Sequence, residues 1–313
     1  MRLYWKKLNA MGTEVVLTAW LSDDQQNALD DAEREIKDFE KRFSRFLEDS
    51  ELTDFNNAPG GDIAVSDFMK KLLTATQRFF WATDGVFDPT IIGSLEEVGY
   101  RKSFTEMTPE SEAGVMVNVA QIQNTFAHRT LLTQLQVGKT TVSKPDGLRL
   151  DFGGIGKGYI LDYVGSHALG EVNDFWISAG GDLYVSGKNG DDGDWHVGVQ
   201  NPYRPETQLF SLNTRGRMLG IATSGIFKRK GNAGGYEWHH IIDPRTGLPV
   251  VNDVLAVTAI TRTATEADIY AKTILVLGSQ EGLKFIEEQP EAACLIFFKN
   301  GSVIFSKRAL DYF

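Results

Sequence analysis

The segment Leu150-Asp151-Phe152-Gly153-Gly154-Ile155-Gly156-Lys157-Gly158-Tyr159 constrains this chain more than any other. An apolar, strand-like run, Leu148-Arg149-Leu150, delivers a carboxylate and then four glycines within six residues. Ile160, Tyr163, Val164 and Ala168 follow at the spacing of one helix face, so a helix is expected to open at the last glycines. A strand that passes through a glycine-rich turn into a helix leaves backbone N–H groups free to meet an anion, usually a phosphate. Lys157 adds a positive charge to the same turn. The plainer reading is a tight connector whose glycines permit positive φ. Two phosphate loops are excluded. Gly158 follows Lys157 where a Walker A loop needs Ser or Thr, and Tyr159 stands where Gly-x-Gly-x-x-Gly needs its third glycine.

The chain has 313 residues, enough for one large domain, 1–313, or two intimate lobes within it. A net charge of −10 argues against broad nucleic-acid binding, which needs a basic face, but allows a local basic pocket for a phosphate-bearing ligand. The single cysteine, Cys294, lies in an apolar run; it excludes an internal disulfide and a four-cysteine metal site and reads as a buried, inert thiol. The N-terminus lacks the apolar core of a signal peptide, and no run reaches about 18 apolar residues. The expectation is a cytoplasmic protein with no membrane span; a trimmed exported protein would look the same.

Residues 3–20 alternate like a strand around Met11-Gly12-Thr13. A long amphipathic helix is expected from about Asp24 to Leu47, with Ala28, Ala32, Ile36, Phe39, Phe43 and Phe46 on its buried face. Ser50 and Ser66 read as N-caps of two further helices, the second stopped by Asp84-Gly85. Residues 101–147 give no clear order. Strands are expected at 175–178, 183–185, 195–200, 219–223 and 254–261, and Thr263-Ala264-Thr265-Glu266 is a capping box that opens a helix. A hairpin around Asn300-Gly301 closes the chain. Helices and strands mix without a βαβ rhythm, which defines the class as α+β, with mixed sheets and packed helices.

Two other stretches can carry chemistry. In Trp238-His239-His240-Ile241-Ile242-Asp243-Pro244-Arg245-Thr246-Gly247, the Asp-Pro-Arg-Thr-Gly run is a turn with Arg245 and Thr246 at its tip. His240 beside it is either a general acid or base or a structural histidine. Asp268 lies early in the capped helix with Lys272 four residues on. That pair is either a helix salt bridge, worth about 0.3–0.5 kcal/mol, or a carboxylate placed to hold Mg²⁺ beside a phosphate.

Met11-Gly12-Thr13, Phe46 through Asn56, Gly85-Val86-Phe87-Asp88, Asp151 through Tyr159, Gly180-Gly181-Asp182, Ala222-Thr223-Ser224-Gly225, His240 through Gly247 and Ala267-Asp268 occur in this order. Together they resemble the ApbE-type FAD:protein FMN transferases from about residue 10 to 280. The resemblance implies an α+β fold related to the tunnelling fold, two-lobed, with FAD held between the lobes. It implies a Mg²⁺-dependent reaction in which FAD is split at its pyrophosphate, AMP leaves, and FMN is joined by a phosphoester to a Thr or Ser of an acceptor protein. It places flavin contacts at Met11, Phe46, Val86, Phe87, Asp88, Asp151, Lys157 and Ile242. Metal contacts fall at the Gly154 carbonyl and Asp268, and His240 matches the histidine that assists catalysis.

Two departures stand out. Lys272 occupies a position that is often Thr in the family, and an ammonium beside a divalent cation is costly unless carboxylates or phosphates screen it. Phe46 stands where tyrosine is common and keeps the ring. An acceptor would carry a segment Asp-x-x-Ser/Thr-Gly/Ser-Ala-Ser/Thr. This chain contains none, so a partner protein is expected. The alternatives are an FAD pyrophosphate hydrolase, with water as acceptor and FMN and AMP as products, and a non-catalytic FAD-binding protein.

Overall fold

A computed structural model describes residues 1–97, 100, 131–227, 230–233 and 236–313. It contains two compact units. The first comprises Met1–Glu40, Ile155–Phe227 and Asn252–Phe313; the second comprises Lys41–Gly154 and Lys228–Val251. Most of the stretch without sequence order, residues 101–130, lies outside the described residues.

An eight-stranded sheet organises the first unit. Its strands, numbered here in chain order, are β1 (Arg2–Ala10), β2 (Thr13–Leu21), β3 (Phe175–Ala179), β4 (Asp182–Ser186), β5 (Leu219–Gly225), β6 (Val254–Thr261), β7 (Ala293–Phe298) and β8 (Val303–Phe305). Each pairs antiparallel with the next. The sheet is mixed with helices but not wound in βαβ units, so the α+β expectation holds. The alternation at 3–20 proves to be two strands. Met11 and Gly12, both with positive φ (55° and 65°), turn the chain between the partners Ala10 and Thr13, and such two-residue turns match the strand twist.

Register fixes which loops share an end of this sheet. Val15 pairs with Ala179, so the Met11-Gly12 turn and the Gly180-Gly181 turn lie side by side. Leu219 pairs with Val185 and Ile221 with Leu183, so β5 runs toward that same end and finishes there with Thr223-Ser224-Gly225. Alternation then assigns faces. Leu183, Val185, Ile221, Ala256, Ile260, Leu295 and Phe297 pack with Trp195, Val197, Val199 and Leu212 of the hairpin His196–Gln200/Gln208–Asn213. The other face takes two helices, Gly156–Ser166 and Ala264–Leu277. A Cβ on Gly165 would lie 2.5 Å from the Tyr184 ring, and one on Gly158 would lie 2.5 Å from the Ala264 carbonyl oxygen. These glycines let the first helix press against both β4 and the second helix.

The second unit is built on helices Glu51–Asn57 and Asp67–Ala82 and a small sheet of Gly61–Ala64, Thr141–Lys144 and Gln136–Val137. Both expected caps form: Ser50 Oγ accepts the Thr53 N–H at 3.1 Å, and Ser66 Oγ accepts that of Met69 at 3.0 Å. The long amphipathic helix is shorter than its pattern suggests, Ala28–Phe43, so Phe46 lies beyond it. Among the described residues no helix is long and apolar enough to cross a membrane.

Candidate active site

The glycine-rich stretch forms the expected turn and helix, but its lead-in is not a strand. Leu148–Leu150 has no strand partner. Instead the Asn56 side chain accepts the Leu150 N–H at 2.8 Å and donates to the Leu150 carbonyl at 2.9 Å. One amide thereby does for this residue what a neighbouring strand would do. The Asp151 N–H is donated to the Pro89 carbonyl at 2.8 Å. The helix opens at Gly156 with no side-chain cap from Ile155, and the Gly158 backbone N–H in its first turn instead favours the charged Asp268 carboxylate.

Within the first unit, Lys157, Asp182, Asp268 and Lys272 form one charged group. Asp182 opens β4 on the face that carries the helices, and its carboxylate holds the Lys157 ammonium. Asp268, in the second turn of the capped helix, is 1% exposed, and its Oδ1 holds the Lys272 ammonium one turn on. Burial pushes the Asp268 carboxyl up, but the Lys272 and Lys157 charges outweigh it and hold this carboxyl below the usual carboxylate range. Lys157 thus acts on both acids. Met11 is also in this unit. Its N–H is donated to Glu40 at 2.5 Å, which pins the positive-φ turn.

The second unit holds the other expected residues. Asp84 and Gly85, with φ of 51° and 70°, end the Asp67–Ala82 helix and lead into Val86-Phe87-Asp88. The Phe87 N–H is donated to Thr83 Oγ1 at 2.9 Å. Phe87 is buried, and a Cβ on Gly154 would lie 3.2 Å from its ring. Asp88 is buried and accepts the Thr90 N–H and hydroxyl at 2.9 and 2.7 Å. Asp151 forms an ion pair with Arg45 at 2.5 Å, with side chains 9% and 6% exposed. The same guanidinium lies over Phe46, 4.3 Å from the ring centroid, and over Tyr100 at 5.2 Å. Ile242 is buried and pairs with Pro249, while His240 is half-buried just after the strand Tyr236–His239. The Asp-Pro-Arg-Thr-Gly run is a turn as expected: Asp243 accepts the Gly247 N–H at 2.8 Å through its carbonyl and grips Arg245 through its carboxylate.

Sequence reasoning gave no role to Arg45, Asp182 or Asn56. Asp182 and Asn56 fall within stretches that carry the family resemblance, but neither was given a role, and Arg45 left no trace. Arg45 and Asn56 act through partners far along the chain, which spacing does not reveal.

The magnesium expectation is tested by the charge around Asp268. Its Oδ2 is buried without a well-formed hydrogen bond, a condition a cation would relieve. However, Oδ1 already holds an ammonium, and the two acids are matched by two lysines. A divalent ion about 4 Å from one ammonium would be repelled by about 8 kcal/mol at an effective dielectric near 20. Among the described residues, no three His, Cys, Asp or Glu side chains form a group able to hold a metal. The residues present do not fit a resident divalent cation.

The sequence profile of the ApbE family matches residues 11–296, and the chain belongs to that family. It is 26% identical over 301 residues to the FAD:protein FMN transferase of Escherichia coli strain K12, covering 95% of this chain and 82% of that protein. It is 30% identical over 262 residues to the FAD:protein FMN transferase of Salmonella typhimurium, covering 81% and 72%. The crystal structure of the ApbE protein from Thermotoga maritima matches with a TM-score of 0.86 at 25% identity over 99% of both chains. The flavin transferase ApbE from Vibrio cholerae matches in fold with a TM-score of 0.84 at 23% identity, over 100% of this chain and 99% of that one.

Proposed function

We propose that this chain transfers FMN from FAD to a Thr or Ser hydroxyl of an acceptor protein. The observation that carries this reading is the family match across residues 11–296, with relatives of that activity at 26–30% identity. The acceptor oxygen attacks the FMN phosphorus, the P–O bond to the bridging oxygen breaks, and AMP departs with that oxygen. His240 takes the proton from the acceptor hydroxyl. Lys157 meets the diphosphate, and its positive charge offsets the negative charge that gathers on the phosphoryl oxygens and on AMP. Met11, Phe46, Val86, Phe87, Asp88, Asp151 and Ile242 contact the flavin nucleotide. Asp268 fixes Lys272 and Asp182 fixes Lys157, the two lysines that face the phosphates. The acceptor carries the Asp-x-x-Ser/Thr-Gly/Ser-Ala-Ser/Thr segment.

The test is to incubate the chain with FAD and an acceptor domain bearing that segment, with and without magnesium, and to follow acceptor mass and free AMP. A mass gain of one FMN per acceptor, with equimolar AMP, is the expected result. AMP without mass gain would make the chain a hydrolase. Bound flavin with neither product would make it a binding protein.

A further inference from the structure

We propose that Lys272 is a built-in counter-ion that takes the place of a divalent cation at Asp268, so that this chain grips its diphosphate ligand without metal. The inference rests on the reading that the ligand is FAD. Asp268 is 1% exposed, and the Lys272 side chain beside it is 20% exposed. The acid end of the pair is therefore sealed in the protein, while the lysine side chain keeps partial exposure. The Lys157–Asp182 pair repeats the arrangement, with the acid 3% and the lysine 20% exposed. In both pairs the carboxylate is buried and the lysine is the more exposed partner.

Local structure brings the pairs together. Gly158 allows the start of the Gly156–Ser166 helix to contact Ala264 and Thr265. Lys157, next to that contact, is close enough for its charge to act on Asp268. Asp182 faces the same helix from the start of β4. Two carboxylates balance two ammoniums while the ligand is away. A diphosphate supplies further negative charge, and both ammoniums can then share it while each remains anchored to its acid. A hydroxyl at position 272 would leave the buried Asp268 with only the more distant Lys157 charge to offset it, and that arrangement would call for an added cation. The lysine removes the need.

The experiment measures FAD binding by equilibrium dialysis at fixed ionic strength, in EDTA and in millimolar magnesium, with manganese binding followed by electron paramagnetic resonance. Wild-type affinity is expected to change by no more than about twofold between the two conditions, with no stoichiometric manganese uptake in the presence of FAD. Lys272→Arg should keep metal-free binding. Lys272→Thr should lose about tenfold or more in EDTA and recover with magnesium. If wild-type FAD affinity rises about tenfold with magnesium, or if wild type takes up one manganese with FAD, the inference is overturned and the FAD reading stands. Absence of FAD binding in every condition overturns that reading and this inference with it. The wild-type arms decide the matter even if Lys272→Thr fails to fold.

Discussion

Asp162 and Thr265 are joined twice across two helices: Asp162 Oδ2 accepts the Thr265 backbone N–H at 2.9 Å and also the Thr265 hydroxyl. Its other oxygen accepts the Ala264 N–H at 2.6 Å. The capping box expected at Thr263 does form, with Thr263 Oγ1 accepting the Glu266 N–H at 3.2 Å. Asp162 therefore satisfies the first-turn donors that Thr263 does not reach. These bonds hold the helix that carries Asp268 against the helix that begins at Gly156 and carries Lys157 in its first turn.

That junction responds to pH. Burial pushes the Asp162 carboxyl up to about 6, from an ordinary value of 3.8, in spite of the hydrogen bonds that favour its charge. The native state therefore holds the proton more tightly than the unfolded chain does. The stability linked to this group is fully present below the unfolded value and is lost as pH rises through about 6. Asp162→Asn has no such titration and loses about 1–3 kcal/mol through mismatched hydrogen bonds. Urea unfolding at several pH values should show wild type exceeding the variant by most near pH 4, with the gap narrowing toward pH 7. A gap that widened over that range would refute the assignment.

Arg45 gives a second prediction. Arg45→Met strands the Asp151 carboxylate in a site where its side chain is 9% exposed. Removing one partner of a buried ion pair costs about 3–5 kcal/mol. Arg45→Lys keeps the charge but loses the planar contact with Phe46 and Tyr100, and should cost less. Thermal unfolding monitored by near-ultraviolet circular dichroism should rank them wild type, Lys, Met; equal melting temperatures would remove the ion pair from the account.

How much of this was legible in the sequence follows from the range of each interaction. Ser50, Ser66 and Thr263 were readable because a cap acts on an amide three residues ahead. The Asn300-Gly301 hairpin and the helix after Gly156 were readable for the same local reason. Leu148–Leu150 was misread as a strand because Asn56, 94 residues away, satisfies Leu150. The Lys272–Asp268 pair was visible as a helical spacing. Its burial was not, since that depends on the sheet beneath. Asp182 could not be paired with Lys157 before the sheet order and the facing of β4 were known. The strand Gln208–Asn213 and the helix Ser279–Glu288 also escaped the pattern reading.

Asn56 offers a direct check of that misreading. Asn56→Ala removes both the donor and the acceptor that serve Leu150, and two lost bonds of this kind cost about 1–3 kcal/mol. Asn56→Asp keeps the acceptor for the Leu150 N–H but sets a carboxylate against the Leu150 carbonyl, so it should be at least as harmful near neutral pH. Hydrogen exchange at the Leu150 amide is the readout, with faster exchange expected in Asn56→Ala and unchanged exchange telling against the bridge.

Gly158 tests the helix contact on which the charged group depends. A methyl group there would lie 2.5 Å from the Ala264 carbonyl oxygen and 2.7 Å from Thr265 Cα, both backbone atoms that cannot rotate aside. In an isolated helix, Gly→Ala would stabilise by about 1 kcal/mol. Here the clash should reverse the sign, with a net loss of about 2 kcal/mol or more as the helices part. Gly181→Ala is the contrasting case: a Cβ there has nothing within 4 Å, but φ is +99°, so its cost of about 1–2 kcal/mol is conformational alone. The two variants separate by a second readout. Gly158→Ala should also weaken diphosphate binding, because Lys157 and Asp268 move apart, whereas Gly181→Ala should change stability with little effect on affinity for ADP. A Gly158→Ala protein as stable as wild type would mean that these helices do not meet at backbone distance.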